Sequence, residues 1–177
     1  MNKVIVIGCP GSGKTTFSLK LNKITGLPLY HLDAIWHKPD KTHIPREEFD
    51  KRAAEIFNTP EWIIDGNYNR TIEMRLQQCD TVFLFDLPTE VCLQGVTERL
   101  GKGRYDLPWI EKELDPEFED FIKDFPKTSL PEIYELIEKY KDQLGIYRRC
   151  LSEVLDIPVK ETVIYSFKLG KSIEICF

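Results

Sequence analysis

Eight residues near the N-terminus carry the chemistry that can be read most directly: Gly8-Cys9-Pro10-Gly11-Ser12-Gly13-Lys14-Thr15. They follow the apolar run Lys3-Val4-Ile5-Val6-Ile7 and precede a helical pattern with Phe17, Leu21 and Ile24 on one face. Strand, G-x-x-x-x-G-K-[ST] and helix together make a phosphate-binding P-loop. The glycines let the backbone turn tightly, so that its N–H groups close on an anion at the positive end of the helix. Gly8, Pro10, Gly11, Ser12, Gly13, Lys14, Thr15 and Thr16 are therefore the expected nucleotide-holding set. Lys14 reaches the β/γ-phosphates, the Thr15 hydroxyl ligates Mg²⁺, and Thr16 touches the α-phosphate.

Phosphoryl transfer also needs an acceptor site, a metal site and positive charge at the transition state. Three aspartates follow short apolar runs: Asp33 after Leu27–Leu32, Asp65 after Glu61–Ile64, and Asp86 after Thr81–Phe85. Asp33 is the expected general base or acceptor-orienting carboxylate. Asp65 is preferred over Asp86 for magnesium, because Gly66-Asn67-Tyr68 reads as a ligand-facing turn. Asp86, before Leu87-Pro88, reads better as the cap of the next helix. Arg99, Lys102 and Arg104 surround Gly101 and Gly103, and a basic, glycine-rich stretch over about 100–108 fits a closing lid. Lys14, Asp33, Arg99 and Arg104 are the expected catalytic residues. A solvated basic turn is the plainer account of the same stretch. Arg70 and Arg75 are divided between an anionic acceptor and an exposed helix face. His31 reads as a satisfied crevice residue, and Trp36 as either pocket wall or packing.

The elements that must position these groups alternate. Strands at 3–7, 27–32, 61–64 and 81–85 are separated by helices at 14–24, 46–58, 69–78 and 89–100. That alternation predicts an α/β three-layer P-loop sandwich: a five-stranded parallel sheet in the order 2-3-1-4-5 with helices on both faces. Apolar stripes at 116–125 and 131–140 predict two more core-facing helices. Gly145-Ile146-Tyr147-Arg148 is the candidate fifth strand, and Thr162–Phe167 with Ser172–Cys176 reads as a β-hairpin in the tail 158–177. One domain over 177 residues is expected.

Composition bounds the function. With 24 Lys+Arg against 29 Asp+Glu, the net charge of −5 argues against a broad basic surface for direct DNA binding. The five cysteines are scattered, without metal spacing, and read as reduced thiols of a cytoplasmic protein. Neither a signal peptide nor a membrane-length apolar run is evident.

Taken together, the P-loop, His31-Leu32-Asp33 with Trp36, Trp62–Tyr68, Phe83–Pro88 and the Gly101–Asp106 stretch resemble the bacterial topology modulation proteins, which are adenylate-kinase-related P-loop proteins. The resemblance covers roughly residues 1–150 and implies a nucleotide-kinase-like activity with ATP and Mg²⁺, a short lid, and Asp65 near the metal. It departs in a lid poorer in arginines than that of adenylate kinases and in the tail from about Pro158. The leading expectation is phosphoryl transfer from ATP to a small nucleotide- or nucleoside-type acceptor, by a monomer or homodimer with no membrane partner. The rivals are a nucleotide-binding regulatory protein with little catalysis and a simple NTPase.

Overall fold

The computed structural model describes residues 1–140, 163–166 and 171–174. Strand β1, Lys3–Gly8, lies in the middle of the sheet because four consecutive branched residues, Val4 to Ile7, tolerate burial on both faces. It pairs in parallel with β3 (Trp62–Asp65) on one side and β4 (Thr81–Phe85) on the other, so Ile5 lies between Ile64 and Val82. Strand β2, Leu29–His31, pairs with β3 at that edge. Beyond β4 come β5, Val163–Ser166, in parallel, and β6, Lys171–Glu174, antiparallel. The order is β2-β3-β1-β4-β5-β6. Five parallel strands in the order 2-3-1-4-5 are the expected arrangement, extended by one antiparallel edge strand.

The identity of the fifth strand differs from expectation. Residues 163–166 occupy the place beside β4, whereas 145–148 lie outside the described residues. The segment around β5 is richer in β-branched and aromatic residues than Gly145-Ile146-Tyr147-Arg148, and so suits a pleated surface better. Cys150 and Cys176 also lie outside the described residues.

Side-chain alternation along β1 divides the core in two. Val4 and Val6 pack with Leu27, Ile63 and Phe85 under Phe17 and Leu21 of α1, Lys14–Thr25. Ile5 and Ile7 face the larger cluster, closed by α3 (Arg46–Phe57), α4 (Asn69–Leu76), α5 (Thr89–Arg99) and α6 (Pro116–Asp124). A further helical stretch covers 129–140 and adds buried Ile133 and Ile137. Helix α6 starts where Asp115 accepts the backbone N–H groups of Glu117 and Phe118 and Pro116 fixes the first turn. Among the described residues no helix is long and apolar enough to cross a membrane.

Two local readings change. Strand β2 stops at His31, and Leu32–Trp36 forms the short helix α2. Asp33 therefore stands in the first turn of a helix rather than at a strand tip. Asp86 does not cap α5, whose N-cap, Pro88, has no side-chain acceptor. Its Oδ2 instead accepts the Tyr134 hydroxyl at 2.9 Å.

Candidate active site

The phosphate loop is set by its glycines. Gly8, Gly11 and Gly13 have φ of 137°, 80° and 91°, a region that side chains disfavour. Gly11 also lies flat on α5. A Cβ there would stand 2.0 Å from the Cys92 carbonyl oxygen, and one on Gly95 would stand 2.2 Å from the Gly11 carbonyl oxygen. The Lys14 ammonium donates to the carbonyls of Gly8 and Cys9, both at 2.8 Å. Burial pushes its pKa down, and the charges of Asp65 and Asp33 pull it back. Asn67 grips Gly8 from both sides: its Oδ1 accepts the Gly8 N–H and its Nδ2 donates to the Gly8 carbonyl, each at 2.9 Å.

The hydroxyl of Thr15 points at two carboxylates, 2.9 Å from Asp65 Oδ2 and 3.3 Å from Asp106 Oδ2. Asp65, at the C-terminal end of β3, also meets His31 Nδ1 at 2.9 Å. Burial opposes a charge on His31, but the Asp65 hydrogen bond and the surrounding carboxylates outweigh it and raise its pKa. Thr15 and Asp65 thus present two hard oxygen donors side by side, a set that suits magnesium. Among the described residues no three His, Cys, Asp or Glu side chains are arranged to hold a metal, so magnesium here would draw its other ligands from phosphate and water.

Asp33 accepts the Tyr68 hydroxyl at 2.8 Å. Burial raises its pKa, and the Tyr68 bond partly offsets the rise. Tyr68 itself has φ 45°, and the turn that holds it there is pinned by Arg75. That guanidinium is fully buried and donates to the carbonyls of Gly66 (2.8 Å), Asn67 and Thr71 (3.3 Å). Burial pushes its pKa down to about 9, so it stays cationic at neutral pH. Arg75 is neither an acceptor ligand nor on an exposed face. Arg70 is exposed and ion-paired with Asp50.

Arg99 and Arg104 are not free. Arg104 donates to both oxygens of Asp106 and, at 2.9 Å, to Glu111 Oε2. Arg99 Nε lies 3.4 Å from the same Glu111 oxygen, an ion pair without a hydrogen bond. The positive charge read from the sequence is thus countered inside the segment that carries it.

These groups share one cleft of about 1260 Å³. Pro10, Gly11, Gly13, Lys14, Thr15, Thr16, Asp33, Asp65, Arg99 and Arg104 all line it, while Gly8 and Ser12 do not. Ser12 Oγ is buried without a hydrogen-bond partner among the described residues, which leaves an unused donor in the loop. A second cavity of about 300 Å³ lies among Trp36, Arg46, Phe49 and Tyr68. Tyr68 borders both spaces, and Trp36 serves as wall and packing at once, 5.4 Å from the Phe49 ring. Sequence reasoning gave no role to Asn67, Tyr68, Glu111 or Asp106, and set His31 aside. The Gly66-Asn67-Tyr68 turn and the Arg104–Asp106 spacing were the available signals.

Comparison with known proteins agrees with this fold. No protein-family profile matches the chain. The solved shikimate kinase from Acinetobacter baumannii, in complex with shikimate, superposes with a TM-score of 0.57 at 17% identity, over 90% of this chain and 96% of that one. The fold is that of the P-loop kinases. Over 88 residues the chain is 30% identical to the adenylate kinase of Thermotoga petrophila, which is 49% of this chain and 39% of that protein. Over 76 residues it is 40% identical to an ATP-dependent helicase/nuclease protein of Lachnoclostridium phytofermentans, 40% of this chain and 6% of that protein. The matches therefore span well under half the length of these curated relatives.

Proposed function

We propose that this protein transfers a phosphoryl group from ATP to a small-molecule acceptor of nucleotide or nucleoside type. The observation that carries the reading is that the phosphate loop, Asp33 and the arginine-bearing lid open into a single cleft. The loop N–H groups and Lys14 bind the donor phosphates. Lys14 exchanges the carbonyls of Gly8 and Cys9 for β/γ-oxygens, so its ammonium is already aimed at the site. Thr15 and Asp65 would hold magnesium, which when bound would neutralise part of the phosphate charge. Asp33 takes the proton from the acceptor hydroxyl as the hydroxyl oxygen attacks the γ-phosphorus; the bond from that phosphorus to the β,γ-bridging oxygen breaks and ADP leaves. A carboxylate whose pKa burial has raised is a better base for that step. Arg99 and Arg104 stabilise the transferring group, and the segment that carries them excludes water that would otherwise hydrolyse ATP. The resemblance to topology modulation proteins supports the same nucleotide-directed chemistry.

The test is a panel of nucleosides, nucleotides and small hydroxy metabolites with ATP and Mg²⁺. ADP formation should depend on one acceptor class and disappear in Lys14→Ala. No acceptor giving turnover above the Lys14→Ala background would sink the proposal. ADP formed at the same rate without acceptor would make the protein an NTPase.

A further inference from the structure

The lid brings its own counter-ions. Arg99 and Arg104 face Asp106 and Glu111, two cations against two anions. Asp106 is 2% exposed, yet it belongs to the loop after α5 rather than to the core sheet. Its Oδ2 lies 3.3 Å from the Thr15 hydroxyl and also receives the Arg104 guanidinium. One carboxylate oxygen therefore meets the hydroxyl at the end of the phosphate loop and the cation of the lid. A terminal phosphate oxygen is likewise an anionic acceptor, and in a bound nucleotide it would compete for the Arg104 guanidinium.

We propose that Asp106 stands in for a nucleotide phosphate: it holds the Arg104 guanidinium beside the phosphate loop, and an incoming polyphosphate displaces it and takes over that guanidinium. The proposal rests on the donor-site reading above and adds how that site is regulated. The carboxylate and a phosphate carry the same sign of charge and compete for one guanidinium. Binding therefore breaks the Asp106–Arg104 contact, which makes that arginine available to the donor. Ligands without a polyphosphate have nothing to exchange for the carboxylate, so they leave the latch shut. Glu111 holds Arg104 from the other side at 2.9 Å and keeps the guanidinium near its place while partners change.

The experiment compares the wild-type chain with Asp106→Asn. The amide keeps the shape and loses the charge that Arg104 holds. ATP binding by calorimetry should become about tenfold tighter, the loss of roughly one charge-assisted contact from the empty state, with EDTA as with magnesium. Trypsin should cut after Arg104 faster in the ligand-free variant than in wild type, and ATP should slow that cut. Equal or weaker ATP binding by Asp106→Asn overturns the proposal and would make Asp106 a ligand of the nucleotide or its metal instead. A second measurement avoids the variant altogether. Inorganic tripolyphosphate, but not adenosine, should change the tryptophan emission of the wild-type protein, and Trp109→Phe should remove that change. Trp109 sits on the same segment, its ring 5.1 Å from that of His37. An unchanged emission on saturating tripolyphosphate overturns the latch. A blank acceptor panel would remove the kinase reading without altering these binding results, and failure of the latch would leave acceptor phosphorylation intact.

Discussion

Replacing Arg75 by Met tests the claim that one buried cation holds the turn joining donor and acceptor sides. The guanidinium donates to three backbone carbonyls, those of Gly66, Asn67 and Thr71. Thr71 precedes Arg75 by one helical turn, so its carbonyl keeps an intrahelical partner. The oxygens of Gly66 and Asn67 lose their Arg75 donor, and each unsatisfied buried acceptor costs about 1–3 kcal/mol. Met fills most of the volume and needs no charge desolvation, which offsets part of the loss. The net expectation is about 3 kcal/mol of stability, roughly 150-fold in the folding equilibrium. Arg75→Lys keeps the charge but cannot span all three oxygens, and should cost about half as much. Urea unfolding read by tryptophan fluorescence gives both values. The turn also carries Asn67 against Gly8 and Tyr68 against Asp33, so ATP affinity should fall in parallel. A loss below about 1 kcal/mol with unchanged ATP affinity would refute the pinning role.

Three further outcomes are expected. With Asp33 as base, turnover falls as pH drops through its raised pKa, because the protonated carboxyl cannot accept the acceptor's proton. Tyr68→Phe removes a bond that lowers this pKa, so the acid limb of kcat/KM against pH should move to higher pH; an unmoved or downward-shifted limb would assign that limb to another group. Gly95→Ala puts a methyl 2.2 Å from the Gly11 carbonyl oxygen. Despite better helix propensity it should lose about 1–2 kcal/mol of stability and weaken ATP binding, as measured by thermal melting and calorimetry. EDTA should abolish phosphoryl transfer while leaving the melting temperature of the nucleotide-free protein unchanged, since Thr15 and Asp65 already hydrogen-bond each other.

The parts legible in the sequence are those written in consecutive residues. The phosphate loop, the strands read at 3–7, 61–64 and 81–85 and the helical stripes are patterns within a window of a few turns. Asp65 was legible because a strand end followed by Gly-Asn-Tyr has a local meaning. What escaped depends on distant partners. Asn67 gains its role from Gly8, 59 residues away, and Asp106 from Thr15, 91 residues away. Arg75 looks like any helical arginine until the fold turns it onto the 66–68 turn, where backbone carbonyls replace water. The partners of Arg99 and Arg104 escaped in a different way. Arg99 and Arg104 were identified, but net charge along a loop does not reveal that Glu111 folds back onto both. The choice of the strand beside β4 likewise depends on how a long connection returns to the sheet, which periodicity does not encode.

The contact of Gly11 with α5 fixes where movement can begin. Because the loop and helix backbones touch without room for a methyl group, α5 braces the phosphate cradle from behind. The same contact immobilises the helix as far as Gly95. A lid of the kind proposed above would therefore pivot beyond it, near Gly101, whose φ of 74° already reverses the chain. For such a lid the chain between Gly101 and the cap at Asp115 would be an exchangeable cassette on a fixed base. Longer or differently charged lids inserted there would alter selectivity and closing rate while the cradle keeps its shape.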